Sequence, residues 1–416
     1  MKRLITFIST LFLLSSIASA GNLFDHRLFE VEANLPVNLS NNYFSIKDIF
    51  FTGDGIITID LKDMANTLPK SGFGLIAEVS PDVGINLNFN KFKVGAIVGV
   101  DLYGNIGLGK GIIDFLGNGN ELNKDIEAEA NFNLDLFAYA KVPVDLKIRR
   151  LSLNFSPSLF FPVVHGTLES AKATVTNDES GKFSVNVNGV AAMYGICDIS
   201  KFFTDSGFAF NPQDLLTILT DAFSNKNFGF DMEGGIGWDY TKAFNVSVNY
   251  RFPIFPGRLN YKTSVGYEFN YEATAATISS AQPETSSTPM STSVCEYVIN
   301  RPLKLNITAV FDPFHSRNFT LTGMAGFAVR HPFSSNIEEV DFYPEYNFGV
   351  RLSLANIITV NVNTSYIDQI YEHKAGLAFN IRLAEIRAGI SVQSSSFITS
   401  FQATGIGAYL TVFAGL

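Results

Sequence analysis

The side chains that could do chemistry in this chain are few, and their spacing indicates no reaction centre. Five histidines are spread over 416 residues, and no two have the spacing of an H-x-x-x-H metal motif: His26, His165, His315, His331 and His373. No serine, histidine and aspartate stand in a recognisable nucleophile arrangement. We therefore predict no catalytic residue, no metal site, no cofactor and no enzymatic activity.

Residues 104–110 match the pattern G-x-x-x-x-G-K, which in a phosphate-binding loop would hold a nucleotide. Gly111 occupies the position where such a loop needs a serine or threonine for Mg²⁺. Glycine is also common where a strand ends, so we interpret the match as strand-end glycines. The net charge of −9 provides no basic surface for nucleic acid.

A two-residue alternation of apolar and polar side chains over residues 346–412 indicates β-strands with two different faces. Val350, Val360 and Ile390 lie on the apolar face, whereas Asn361 and Ser391 lie on the polar face. The runs extend to about 9–11 residues, the length that crosses a bilayer, whereas strands in globular proteins usually have about 5–6. We predict an all-β fold, a transmembrane outer-membrane β-barrel.

Residues 1–20 have the features of a signal peptide: Lys2 and Arg3, an apolar run, and Ala18-Ser19-Ala20 before a cleavage site after Ala20. No later run approaches the ~18–20 apolar residues of a membrane helix, so a membrane-embedded chain must form a closed barrel. Residues 21–416 contain no Pro/Ser-rich linker, which predicts a single barrel. We expect it in the bacterial outer membrane, in contact with outer-membrane lipid and the barrel-assembly machinery.

Fifteen strand candidates can be counted, whereas bacterial single-chain barrels have even strand numbers. Strand directions assigned from the N-terminus and from the C-terminus disagree between residues 243 and 273, so at least one strand in this region is assigned wrongly. We therefore predict about 14 strands, with 16 as the alternative. The segments 41–72 and 165–227 lack a strand pattern and are predicted insertions with short helices that plug or cap the lumen. In the first segment, helical patterns cover residues 46–51 and 60–68. Between residues 273 and 300 we predict a Ser/Thr-rich loop, which is mobile over residues 279–293.

The insertion at 165–227 combines a predicted helix with several phenylalanines. Asn211 would cap this helix and Pro212 would occupy its first position. Apolar side chains in a loop are costly in water unless they pack together or hold an apolar ligand. The candidate apolar contacts of such a ligand are Phe202, Phe203, Phe208, Phe210 and Leu216.

The charged side chains on the polar strand faces have two interpretations. They form a salt-bridged wall around the lumen, or one or two of the basic groups bind the anionic head group of a ligand. Arg351 and Arg382 are the candidates for that second role. The inward charges are Glu30, Glu32, Glu127, Glu129, Asp135, Asp231, Glu233, Lys304, Arg351, Arg382 and Arg387.

The chain has two cysteines, Cys197 and Cys295, and both fall in segments without a strand pattern. An exported protein crosses an oxidising periplasm, where two thiols tend to pair. We predict a disulfide between them. It would tie the insertion at 165–227 to the Ser/Thr-rich segment.

A resemblance rests on the order of signal peptide, first strand, residues 41–50 (NNYFSIKDIF), strand pairs and residues 407–413 (GAYLTVF). This outline resembles a family of spirochaete outer-membrane proteins similar to FadL-type long-chain fatty-acid transporters, over nearly the whole mature chain. The resemblance implies a 14-strand barrel with a plug that takes up hydrophobic molecules through a lateral opening. The Asn-Pro-Ala motif of the family's N-terminal plug is absent, and Leu416 replaces a terminal aromatic residue.

We accordingly predict an outer-membrane transporter or channel for hydrophobic small molecules, with a fatty acid as the preferred ligand. One alternative is a general diffusion porin for polar solutes, which would need the unobstructed lumen that helix-bearing insertions argue against. A structural or adhesive surface barrel is another, although no loop motif indicates a binding partner. An enzyme such as a barrel lipase has the least support, because no Ser/His/Asp set stands out.

Overall fold

The computed structural model describes most of the chain from Arg27 onwards. The described residues are 27–45, 60–70, 72–89, 91–119, 126–179, 181–198, 203–204, 207–208, 218, 220, 222–274, 282–314, 318–334, 340–355, 357–402 and 404–416. The signal peptide, a helical pattern at 46–51 and the start of the helix expected after Asn211 lie outside them. Those features stay predictions.

The first half of the chain, up to residue 208, contributes ten strands: β1 (Phe29–Asn41), β2 (Phe73–Val79), β3 (Asp82–Phe89), β4 (Phe92–Leu108), β5 (Ile126–Lys141), β6 (Val144–Ile148), β7 (Leu151–Asn177), β8 (Lys182–Gly195), β9 (Phe203–Thr204) and β10 (Gly207–Phe208). The second half contributes eleven: β11 (Gly229–Asp239), β12 (Phe244–Phe255), β13 (Gly257–Thr274), β14 (Glu284–Ile299), β15 (Leu303–Phe311), β16 (Phe319–Arg330), β17 (Asp341–Leu354), β18 (Ile358–Ile367), β19 (Ile370–Asn380), β20 (Ala384–Ser394) and β21 (Gly405–Gly415). The described helices are α1 (Leu61–Thr67), α2 (Lys110–Asn118) and α3 (Phe397–Ser400).

The large sheet closes on itself as an antiparallel barrel. Its last strand, β21, pairs with β20 on one side and with β1 on the other, which joins the two ends of the sheet. Where the chain interrupts a strand, the two pieces share one place in the ring; β2 and β3, for example, both pair with β1 and β4. Counted by place, the barrel has 14 strands, as the alternation predicted.

The conflict between residues 243 and 273 has a simple cause. The sequence pattern suggests two strands there, at 244–252 and 259–271, but β12 and β13 run on through Pro256 as one long strand of the barrel. β12 pairs with β15, and β13 pairs with β14, so the returning strand is equally long. Merging the two candidates turns the odd count into an even one.

Two segments expected to be irregular contain strands. Within 165–227, β7 continues to Asn177 and β8 returns from Lys182 to Gly195. The prediction of a mobile Ser/Thr-rich loop is wrong as well, because Glu284–Ile299 forms β14, which pairs with β13. Its serines and threonines do not alternate with apolar residues, so the two-residue period is invisible in the sequence although the backbone is extended.

Side-chain exposure separates the two faces of the wall. On the outside, Leu377 and Ile390 are 61% and 68% exposed. In a membrane, lipid would cover these apolar side chains. On the inside, Ser391 is 3% exposed. Among the described residues, no helix is long and apolar enough to cross a membrane.

The two ends of the barrel differ in their connections. At the end where β1 begins and β21 ends, the strands are joined by short turns, such as Arg149-Arg150 between β6 and β7. The other end carries the longer connections, including those with α1 and α2. Because outer-membrane barrels have short periplasmic turns and long outer loops, we assign the second end to the outside.

The wall is much taller on one side than on the other. β7 spans 27 residues, whereas β18, which fills its place in the ring alone, spans 10. Prolines mark four of the places where a strand of the ring is interrupted: Pro81, Pro143, Pro256 and Pro302. Proline has no N–H for the ladder, so it is tolerated where pairing stops or changes partner.

Two helices pack against each other at the outer end. Asp60 caps α1 by accepting hydrogen bonds from the backbone N–H groups of Lys62 and Asp63, both at 3.0 Å. Met64, Ala65 and Leu68 of this helical turn pack with Ile113 of α2 in a small buried cluster. The helix expected near residues 60–68 is thus confirmed.

Candidate functional site

A network of ion pairs spans the interior of the barrel. Arg301 lies in the break between β14 and β15 and is 1% exposed. Its guanidinium donates to Asp231 at 2.9 Å and to Asp101 at 2.7 Å. Nearby, Arg251 donates to Glu233 at 2.9 Å. Because β4, which carries Asp101, is not a neighbour of β14 or β15 in the ring, this contact reaches across the lumen.

A second group of charges continues the network toward the shorter wall. Lys304 donates to Asp368 at 2.8 Å, and Tyr343 donates to the other oxygen of the same carboxylate at 2.7 Å. The guanidinium of Arg330 lies 3.4 Å from the ring centroid of Tyr103 on β4. The salt-bridged lumen wall, one of the two interpretations of the inward charges, is therefore present.

A cavity of about 260 Å³ remains within the network. Four carboxylates and three permanent cations line it: Glu78, Asp101, Asp135, Asp368, Arg251, Lys304 and Arg330. Leu102, Phe137 and Pro302 provide an apolar part of its wall. The cavity thus offers charged and apolar contacts side by side, which suits a molecule with one polar end.

The lumen between this network and the short-turn end has a different character. It contains two cavities, of about 520 and 440 Å³. Asparagine, serine, threonine and glycine are frequent in their walls, for example Asn154, Asn347, Asn361 and Asn363. The ion-pair network therefore separates a polar inner chamber from the outer end of the barrel.

The wall is interrupted beside the network, in the strand formed by β8 and β11. β8 ends at Gly195 opposite Val164, and β11 begins at Gly229 opposite Phe160. The chain thus leaves the wall opposite Val164 and returns to it opposite Phe160, four residues away along β7. Residues 196–228 are inserted between these two points. Around this break lies a buried apolar cluster of Phe137, Tyr139, Phe160, Phe161, Ile196, Ala222, Leu259 and Ile299.

The apolar cluster continues to the outer surface. Phe160 and Phe161 are consecutive on β7, so their side chains point to opposite faces of the wall. Phe160 is completely buried and its ring lies 5.8 Å from that of Phe137, which also lines the charged cavity. Phe161 contacts Phe223, which is 54% exposed, with 4.7 Å between ring centroids. Aromatic side chains therefore connect the cavity with the lipid-facing side.

The candidate ligand residues of the insertion are only partly described. Phe202, Phe210 and Leu216 lie outside the described residues, and Phe203 and Phe208 are placed only as members of the paired strands β9 and β10. Described residues at the end of the insertion do bear on the expectation, because Ala222 belongs to the apolar cluster and Ile218 packs against it. The five candidate contacts stay a prediction.

The two candidate arginines occupy different places from the charged cavity. Arg351 points into the lower lumen and lines the 440 Å³ cavity near the short-turn end. Arg382 lies in the turn after β19, where its backbone carbonyl accepts a hydrogen bond from Arg27 at 2.6 Å, and its side chain is exposed. The strand pattern extends past the end of β19, which is why Arg382 was expected to point inward.

The structure adds functional candidates that the sequence pattern did not indicate. Arg251, Arg301 and Arg330 were absent from the inward set. Arg301 lies in a break between strands and Arg330 at a strand end, whereas Arg251 lies within β12, where strand parity could have indicated it. The sequence did contain a signal for Arg301, because the proline that follows it, Pro302, indicates a break in the strand. A charged residue at such a break can point into the lumen. His165 and His331 also lie close together beside this network. They are 166 positions apart in the sequence (331 − 165).

Cys197 and Cys295 are not joined by a disulfide in the structure. Cys197 follows β8, and Cys295 lies on β14. Tyr261 of β13 faces Gly195 of β8 on one side and Val294 of β14 on the other, so β13 lies between the two strands. Strands two places apart are separated by roughly 9–10 Å, more than the roughly 7 Å that a disulfide spans between Cα atoms. The bridge between Cys197 and Cys295 stays a prediction; unreduced protein with a bridge would take up no maleimide.

No family model and no curated protein matches this chain. Solved structures similar to it include the Pseudomonas putida toluene transporter TodX, with 9% identity, a TM-score of 0.43, and coverage of 95% of this chain and 92% of TodX. The Ralstonia pickettii toluene transporter TbuX has 9% identity and a TM-score of 0.42, covering 94% and 90%. A Pseudomonas aeruginosa FadL homologue has 10% identity and a TM-score of 0.42, also covering 94% and 90%.

Proposed function

We propose that this protein carries hydrophobic small molecules with an acidic head group, long-chain fatty acids above all, through the outer membrane. The observation that carries the proposal is the interrupted strand between Gly195 and Gly229, where an apolar cluster joins the lipid-facing surface to a charged cavity. The two parts match the two ends of such a ligand. A purely polar solute would make no favourable contact with the apolar cluster, and a hydrocarbon would make none with the charged cavity.

The charged cavity supplies contacts for a carboxylate. Lys304 already holds two carboxylates, Glu345 at 2.9 Å and Asp368 at 2.8 Å, and it lines the cavity. An entering carboxylate would exchange with one of them, since both are acceptors for the same three ammonium protons. Asp368 is the partner suited to yield, because it keeps Tyr343 at 2.7 Å and Arg330 at 3.8 Å. Neither the lysine nor the displaced carboxylate then becomes an unpaired buried ion, which would cost several kcal/mol.

The break in the wall supplies the path for the apolar part. Elsewhere the ladder of backbone hydrogen bonds closes the barrel, and the lumen is polar, so an alkyl chain cannot cross from lipid to interior. At the break, residues 161 and 162 of β7 have no ladder partner in β8 or β11, and the carbonyl of Val163 accepts a hydrogen bond from the N–H of Ile196, just past β8, at 3.1 Å. The Phe161–Phe223 pair covers the break on the outside, and its displacement would open a lateral passage.

Binding of a fluorescent long-chain fatty acid to the purified protein in detergent tests the head-group contact. We expect Lys304→Met to weaken binding by roughly tenfold or more, the loss of one charge-assisted hydrogen bond. Arg387→Met is the matched control, because this lumen cation is also paired, with Glu385 at 2.6 Å, but lines the lower cavity. The methyl ester of the same fatty acid should bind the wild type more weakly and lose less affinity in Lys304→Met.

The insertion is tested separately with the double variant Phe208→Ser and Leu216→Ser, which should weaken binding of both acid and ester. Conductance in planar bilayers provides the competing outcome. Single-channel currents of porin size without any fatty-acid binding would refute the proposal in favour of a diffusion porin. Equal effects of Lys304→Met and Arg387→Met would remove the charged cavity from the binding site.

A further inference from the structure

We propose that Asp135, His165 and His331 form a binding site for a divalent transition metal, with Zn²⁺ as its best match. Their ligand atoms all lie within 4.8 Å of one another. The three side chains come from β5, β7 and the residue that follows β16. Asp135 and His331 also line the charged cavity, but the metal proposal rests on the ligand geometry and does not require the fatty-acid function.

The distances fit a metal after a small adjustment. Asp135 Oδ1 lies 2.7 Å from His165 Nδ1, and Asp135 Oδ2 lies 3.9 Å from His331 Nε2. Around a tetrahedral ion with bonds of about 2.0–2.1 Å, ligand atoms are separated by roughly 3.4 Å. The two observed distances lie on either side of that value, and the third pair of ligand atoms lies within 4.8 Å, so side-chain shifts on the order of 1 Å would seat the ion.

The surroundings of His165 resemble those of a metal-bound imidazole. Asp135 and His165 are directly opposite each other in the ladder between β5 and β7, and both are buried. The second ring nitrogen of His165 lies 3.1 Å from the hydroxyl of Tyr297, and the two rings stack at 4.9 Å between centroids. A partner on the remote nitrogen fixes the tautomer and orientation of a metal-binding histidine.

Metal binding would use this partner in a defined way. While Nδ1 carries the proton, it donates to Asp135, and Nε2 accepts from Tyr297. When Nδ1 binds a metal, the proton moves to Nε2, which then donates to the tyrosine oxygen. Tyr297 can take either role because a hydroxyl both donates and accepts. The carboxylate keeps both of its oxygens available to the ion.

His331 enters from another part of the ring. It follows Arg330, the last residue of β16, and its backbone φ is 45°, in the left-handed region that few non-glycine residues adopt. This conformation turns the chain at the strand end and brings the imidazole to within 5.5 Å of the His165 ring. A metal here would link the wall of β5 and β7 to the end of β16, across the outer part of the lumen.

The ligand chemistry indicates the class of ion. Four carboxylates line the adjoining cavity beside three cationic side chains, so a bound dication would have anionic neighbours. Two imidazoles and one carboxylate, with a fourth place open to water, suit Zn²⁺, Co²⁺, Ni²⁺ or Cu²⁺. Ca²⁺ and Mg²⁺ prefer oxygen ligands and should not compete.

Calorimetric titration of Zn²⁺ into EDTA-stripped full-length protein in detergent, without a polyhistidine tag, tests the site. We expect one ion per chain in the wild type. His331→Ala and Asp135→Asn should each weaken binding by at least roughly 10–100-fold, and Tyr297→Phe should weaken it less. Binding should be unaffected by a large excess of Mg²⁺.

The matched control is His373→Ala. His373 lies at the same end of the barrel but bonds Thr364 at 3.2 Å and Ser400 at 3.0 Å, outside the cluster. Visible absorption of a bound Co²⁺ ion gives a second readout of the imidazole ligands. The proposal is overturned if the wild type binds no ion at one per chain, or if His331→Ala binds as tightly as His373→Ala.

Discussion

Replacing Arg301 with Met should destabilise the barrel more than any exposed charge could. The side chain is 1% exposed, and it pairs with Asp231, which is fully buried, at 2.9 Å. Methionine has a similar length and fills most of the space, so the change removes charge rather than volume. Asp231 would then be left as a buried carboxylate without its nearest cation.

The size of the effect follows from that unpaired charge. Breaking a buried ion pair by removing one partner costs about 3–5 kcal/mol, because desolvation of the remaining ion is no longer compensated. Asp231→Asn in the same chain removes that ion and should restore part of the loss. We expect a coupling energy within about 0.5–3 kcal/mol between the two substitutions, as found for groups in direct contact.

Urea unfolding in detergent, followed by the fluorescence of Trp238, measures these free energies with a single native probe. Arg258→Met is the matched control, because Arg258 pairs with Glu296 at 2.9 Å while both side chains are more than half exposed. Such a pair contributes about 0–1 kcal/mol. The reasoning fails if Arg301→Met costs no more than Arg258→Met, or if the double variant is simply additive.

Two further predictions concern the wall. Val362→Arg should cost ~2–4 kcal/mol, because this side chain is 53% exposed on the lipid face, whereas Arg at the next position, Asn363, points into the lumen and should cost far less; equal losses in urea unfolding would contradict the assignment of faces. Gly389→Ala should cost about 1–3 kcal/mol, since the added methyl would overlap the ring of Tyr409, while Gly323→Ala meets no atom within 4 Å and should be neutral or slightly stabilising in the same assay.

Much of the barrel could be predicted because its driving force is local. Each strand between residues 346 and 412 alternates on its own, and lipid outside and water inside impose the same two-residue period everywhere. The tall side of the wall was harder to predict. Above the membrane both faces of β14 meet water, the pressure to alternate disappears, and a strand such as Glu284–Ile299 reads as a loop.

The candidate site was less predictable, because it depends on contacts between distant parts of the chain. That Asp231, Glu233 and Lys304 face the lumen follows from strand parity, and the structure pairs all three. Which cation meets which carboxylate depends on the curvature and tilt of the whole ring. Arg301 lies in a strand break, where the parity rule no longer applies, so its central place could not be read from the sequence.

The pairing that closes the ring has a consequence for folding kinetics. β1 and β21 form a continuous antiparallel ladder from Glu30 opposite Gly415 to Ser40 opposite Gly405, so the closing contacts join the most distant parts of the described chain. Contacts of such sequence separation form late and slowly. Until they form, both strands present unpaired edges that can recruit other chains. The barrel must therefore fold as one cooperative unit after its last strand has been delivered, with both edges shielded until then.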